Sequence, residues 1–235
     1  MIPIPINDHI RRQTFWISTF TLILLNVVVF LFELSLGRNL NRLVFLFGIV
    51  PARYTSVQGL THAGAVGFFL PIFTSMFLHG GWLHLIGNML FLFVFGRSIE
   101  DRYGHLNFLA IYFVGGFAAA VTHIVLNAGS PVPTIGASGA IAAVLGAYAV
   151  CFPRARISTL IFLIFFFWRV EIPALFLLGY WFLIQFVAGY QMLSIETATG
   201  GGVAWWAHVG GFLMGIFLVI VMPPKRRGPV VEVRR

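Results

Sequence analysis

A serine stands between two glycines in Gly136-Ala137-Ser138-Gly139, where a loop holding Pro131 and Pro133 turns into an apolar run. Alone, the pattern says little. It arises by chance, and a serine in an apolar helix ordinarily donates to a carbonyl one turn back. Three other polar residues change its meaning. His84 and Asn88 are four apart, so a helix sets them on one face. His208 lies 70 positions beyond the serine, in another apolar run. Serine hydrolysis needs a base to take the hydroxyl proton and donors to hold the oxyanion. His208 suits the base. Asn88 and His84 can supply side-chain donors, and the backbone N–H of Ser138, free at a helix start, can supply another. No carboxylate falls at that depth, so a Ser-His dyad is expected rather than a triad.

Each residue also has a plainer reading. A histidine in a membrane helix bonds a carbonyl or lines a pathway, which suits His123. His79 is expected to support the loop before His84. A metal site of His79, His84 and His208 has no cysteine or carboxylate to complete it, so neither metal nor cofactor is expected.

The elements that must position these groups are membrane helices. The chain of 235 residues is 59% hydrophobic and 9% charged, against about 25% charged in a soluble domain. The net charge of +8 sits in small basic groups between apolar runs, the pattern of membrane loops rather than of a nucleic-acid surface. The single cysteine, Cys151, excludes an internal disulfide framework. Six spans are expected, at Thr14 to Leu36, Trp82 to Phe95, His105 to Asn127, Ser138 to Phe152, Ile172 to Tyr190 and Ala204 to Met222. The fold class is therefore an all-α polytopic membrane bundle. Residues 1–13 form a cytoplasmic lead, 14–222 the membrane domain and 223–235 a basic cytoplasmic tail. Glu33 is read as a solvated helix end, Arg97 to Arg102 as a charged turn, and Ile157 to Trp168, too short to span, as an interfacial segment.

Six spans put both termini on one side. Twelve of the fifteen basic residues then share that side, leaving Arg38, Arg42 and Arg53 opposite, as the positive-inside rule requires. Even-numbered helices start on the other face, and His84, Ser138 and His208 all lie near such starts, with Asn88 one turn on. The fourth helix is only 15 residues, about 22 Å, against a hydrocarbon core of about 30 Å. Ser138 should therefore be recessed below the surface. Small residues Gly139, Ala142, Ala143 and Gly146 on the fourth helix, and Gly211 and Gly215 on the sixth, let the two backbones approach. Ser138 and His208 can then meet.

With these residues in place, the chain resembles the rhomboid family of intramembrane serine proteases. The resemblance rests on His79-Gly80-Gly81-Trp82-Leu83-His84-Leu85-Ile86-Gly87-Asn88, on Gly136-Ala137-Ser138-Gly139, and on Ala207-His208-Val209-Gly210-Gly211 through Gly215. It implies a rhomboid-like six-helix bundle with Ser138 as nucleophile and His208 as base. His84, Asn88 and the Ser138 N–H would be oxyanion donors, supported by His79, Gly136, Gly139 and Gly211. It implies no cofactor, transmembrane proteins as substrates, and the fifth helix with Gln191 to Val203 as gate and cap. Two positions depart from the pattern. Ala142 stands where some relatives stack an aromatic ring on the base, and Gly87 where some carry a bulky residue. The alternatives are a catalytically silent rhomboid-like binding or chaperone protein, and a transporter lined by His84, Asn88, His123 and His208. The absence of a leader and of added domains leads to the expectation of a prokaryotic plasma membrane.

Overall fold

A computed structural model describes residues 3–163, 166–193 and 204–225. The basic tail beyond Lys225 and most of the expected cap loop lie outside these residues. A short strand, β1 (Ile4–Asn7), leads into α1 (Ile17–Ser35). Three smaller helices follow, α2 (Leu40–Phe47), α3 (Pro51–Thr55) and α4 (Val57–Thr74). Next come α5 (Trp82–Phe91), a π-helical stretch over Leu92–Gly96, α6 (Arg97–Tyr103), α7 (His105–Leu126) and α8 (Ser138–Cys151). The hairpin β2 (Arg156–Leu163) and β3 (Phe166–Pro173) then precedes α9 (Ala174–Leu193) and α10 (Trp205–Val221).

Among the described residues, four helical segments are long and apolar enough to cross a membrane: Ile17–Ser35, Trp82–Tyr103, His105–Leu126 and Ala174–Gln191. Ser138–Cys151 and Trp205–Val221 are shorter apolar helices. The six expected helices are all present in this helical bundle, and α8 is as short as its sequence demanded.

The bundle is built around α8. Every residue from Gly139 to Ala149 is buried, so this stretch turns no face outward, and α7 and α10 close on it through small residues. A Cβ at Gly211 would lie 2.1 Å from the Gly139 carbonyl oxygen, and one at Gly215 would lie 1.9 Å from that of Ala143. Only hydrogen atoms fit there, so α10 and α8 touch backbone to backbone.

Three sequence readings are corrected. Arg97 to Arg102 is no turn, because the helix runs on through Tyr103. Its Glu100 faces inward. The Glu100 carboxylate accepts the Ser18 N–H at 2.7 Å, the Thr19 N–H at 2.8 Å and the Thr19 hydroxyl at 2.6 Å. These are donors that α1 leaves open at its start, and a negative charge is favourable there. Glu33 is not solvated either. It is buried, and its carboxylate accepts the backbone N–H of His79. Third, the segment Ile157 to Trp168, for which no strand was expected, is most of an antiparallel hairpin. Arg156 pairs with Pro173 and Leu163 with Phe166, while β1 adds a third strand on β2. β-branched and aromatic residues favour the pleated form, and pairing satisfies backbone groups that a lone extended segment would leave open.

The sheet is tied to the bundle by one acid. Asp8 is fully buried and pairs with Arg12. It also accepts the hydroxyls of Ser98 at 2.5 Å and Tyr148 at 3.2 Å.

Candidate active site

Ser138 is the first residue of α8, and the loop before it is held on three sides. Ile49 and Thr134 exchange backbone hydrogen bonds at 3.0 and 2.7 Å. The Gly136 N–H donates to the Ser75 carbonyl at 2.8 Å. The Thr134 hydroxyl meets His123 Nε2 at 2.8 Å. Asn127 donates to His123 Nδ1 at 3.2 Å, so Nε2 carries the proton and donates to Thr134. His123 therefore anchors the loop, whereas a carbonyl contact or a pathway was the sequence reading.

Gly136 has φ +129°, a backbone state that side chains disfavour, and a Cβ there would sit 2.7 Å from His84 Cε1 and Nε2. Glycine lets the loop lie against the imidazole edge and bring the start of α8 beside it.

Across this junction the His208 Nε2 lies 2.7 Å from Ser138 Oγ. The close crossing at Gly211 and Gly139 carries this contact. Gly139 itself faces Ala119 and Ala207, where an added Cβ would lie 2.7 and 3.7 Å from their Cβ atoms. On its other nitrogen His208 is met by Gln185 of α9, whose Oε1 lies 2.6 Å from Nδ1. Since that oxygen only accepts, Nδ1 carries the proton, and the Nε2 lone pair is free to accept the Ser138 hydroxyl. The Trp181 ring lies 5.6 Å from the His208 ring at 35°. Ala142, where some relatives place an aromatic, is buried in the helix contact, and the ring comes from another helix.

His84 and Asn88 are on α5 and line the same cavity as Ser138 and His208. The Gly80 N–H donates to His84 Nδ1 at 3.4 Å, so His84 presents a protonated Nε2. Asn88 is buried, and its Nδ2 has no hydrogen-bond partner among the described residues. A buried amide donor without a partner costs on the order of 1–3 kcal/mol. Here it faces a cavity of about 770 Å³ lined by Ser138, His208, His84 and Asn88 and otherwise largely apolar. His79 stands outside this set. Its Nδ1 donates to the Phe77 carbonyl at 3.2 Å, and its ring packs edge-on to His84, centroids 5.1 Å apart. It shapes the turn that delivers His84. Burial pushes its imidazole down to about 4, so it stays neutral near pH 7.

The arrangement can polarise a serine hydroxyl and hold a developing oxyanion. Among the described residues, no group of three metal-ligating side chains converges. The sequence reading placed Ser138, His208, His84, Asn88 and the glycines together but missed Gln185 and Trp181. Only the fold marks them out. Buried positions on α9 recur at Leu178, Gln185 and Gly189, and Gln185 is the one long polar residue on that inward stripe.

The family model described as Rhomboid domain matches residues 66–225. Among curated proteins, the chain is 30% identical to the presenilin-associated rhomboid-like protein, mitochondrial, of Rattus norvegicus, over 82% of this chain and 50% of that protein. It is 31% identical to rhomboid protein 1, mitochondrial, of Saccharomyces cerevisiae, over 63% of this chain and 40% of that protein. RHOMBOID-like protein 5 of Arabidopsis thaliana matches at 27%, over 64% and 43%. The chain thus spans about half the length of the curated relatives it matches, or less. The expectation of a prokaryotic plasma membrane is overturned, since relatives of this chain carry mitochondrial names. The charge asymmetry reports which side faces which, not which membrane is crossed.

Proposed function

We propose that this chain, which belongs to the rhomboid family, is an intramembrane serine endopeptidase that cuts transmembrane segments of other proteins by a Ser138–His208 dyad. Members of this family are generally intramembrane serine proteases. The observation that carries the reading is the 2.7 Å contact of His208 Nε2 with Ser138 Oγ, beside an unpartnered Asn88 donor in the same cavity.

In this mechanism Ser138 Oγ attacks the scissile carbonyl while its proton passes to His208 Nε2. The carbonyl oxygen becomes an oxyanion, held by the Ser138 N–H, the His84 Nε2–H and the Asn88 amide. Nε2 then returns the proton to the leaving nitrogen, and the acyl chain remains on Ser138. Water entering the cavity hydrolyses that ester, with His208 again as base. Polar groups at membrane depth are tolerated where they line such a wet cavity. The substrate helix must unwind at the cut, because its carbonyls are otherwise bonded within the helix.

The test is a single-span reporter with small residues near one membrane surface, incubated with purified wild type and Ser138→Ala. Cleavage by wild type, and a loss of at least about 10³-fold in the variant, is expected. Equal cleavage by both contradicts the assignment.

A further inference from the structure

In this fold one helix supplies both groups that hold the base. Trp181 and Gln185 are four residues apart on α9, so one face presents an aromatic ring to the imidazole and an amide to its Nδ1. Gln185 is buried, and its Oε1 lies 2.6 Å from Nδ1. A neutral imidazole has one donor and one acceptor nitrogen, and which is which depends on the partners. With Oε1 at Nδ1, the proton must sit on Nδ1, and the lone pair on Nε2 faces Ser138. The opposite tautomer would put a proton on Nε2, and Ser138 could not give its own.

We propose that Gln185 is a positioning residue for His208: its amide oxygen accepts the Nδ1–H and fixes the tautomer whose Nε2 lone pair meets Ser138, so that Ser138, His208 and Gln185 form one oriented set. This rests on the protease reading above. No proton passes to the amide. The Ser138 proton moves to Nε2 in the attack, and Nδ1 keeps its own throughout. The resulting imidazolium donates from both nitrogens, and the amide dipole faces its positive charge. An amide oxygen orienting a catalytic histidine has a chemical precedent in Cys-His-Asn proteases.

Two variants test this in full-length, detergent-solubilised protein. Gln185→Met keeps the side-chain length and removes the acceptor, and Gln185→Glu keeps an acceptor. Three readouts are taken on each and on wild type. The first is the rate at which a small serine-reactive phosphonate modifies Ser138. The second is the kcat and KM for the reporter. The third is the tautomer of His208 from its ¹⁵N shifts, assigned with His208→Ala. In wild type His208 is expected as the Nδ1–H form. In Gln185→Met that form should lose its dominance, with modification rate and kcat down at least about tenfold and KM within about twofold. Gln185→Glu should restore the Nδ1–H form and most of the rate. A methionine variant that keeps the wild-type tautomer overturns the assignment, whatever its rate. So does a glutamate variant as slow as the methionine one, because loss of packing alone would then explain both. If wild type itself neither reacts nor cleaves, the protease reading fails, while the tautomer measurement still decides the role of Gln185.

Discussion

At the scale of single residues, the proposed mechanism separates groups assigned to act from groups that hold. Asn88 is the clearest case of the first kind, since its buried Nδ2 bonds nothing among the described residues. Asn88→Ala should therefore leave the melting temperature close to wild type, yet lower kcat by about 10²-fold as a lost oxyanion donor. Thermal unfolding in detergent and reporter kinetics on one preparation check both halves. His123 belongs to the second kind. Through Thr134 it fixes the loop before Ser138, so His123→Leu should destabilise the protein and touch kcat only indirectly. The residues proposed to act could be picked out of the sequence because chemistry restricts their type and helical spacing restricts their place. Gln185 could not. A glutamine in an apolar run has many uses, and only the three-dimensional approach of α9 to α10 shows which nitrogen it meets.

At the scale of elements, the site depends on how closely α10 lies on α8. Gly211→Ala would set a Cβ 2.1 Å from the Gly139 carbonyl oxygen. Backbone cannot yield there without separating the helices. The substitution should cost about 1–3 kcal/mol and carry His208 away from Ser138. Activity should fall even at temperatures where the variant is folded, which reporter cleavage well below its melting point would show. The start of α1 depends in a similar way on a distant acid. Glu100→Ala removes the acceptor of the Ser18 and Thr19 donors and should cost about 1–3 kcal/mol. This loss should be read in the melting temperature rather than in kcat, because Glu100 lines no part of the cavity. Small-residue strips announced the first contact in the sequence. The second was hidden, since Glu100 and Asp101 read locally as a solvated turn and only the fold turns Glu100 inward. The attachment of β1 to the hairpin was hidden for a related reason. Length excluded a span for Ile157 to Trp168, but strand pairing with Ile4–Asn7 spans more than 150 positions and leaves no local mark.

At the scale of the whole molecule, a three-stranded sheet is attached to one end of a helical bundle whose site opens at the other. Asp8 makes the attachment through Ser98, Arg12 and Tyr148. Tyr148 stands ten residues along α8 from Ser138, about 15 Å at 1.5 Å per residue. Asp8→Ala strands three polar partners and should cost about 3–5 kcal/mol. It should nonetheless leave the modification rate of Ser138 unchanged in protein kept well below its melting point. A matching fall in both quantities would mean that sheet and site are coupled. The central claim is narrower: one serine, activated by one histidine, does the chemistry. Its most direct measurement is intact-protein mass spectrometry after exposure to a small serine-reactive phosphonate. The account predicts a single adduct, mapped to Ser138, absent in Ser138→Ala and slowed by orders of magnitude in His208→Ala. No adduct in wild type, an adduct on another residue, or equal labelling with and without His208 would contradict it.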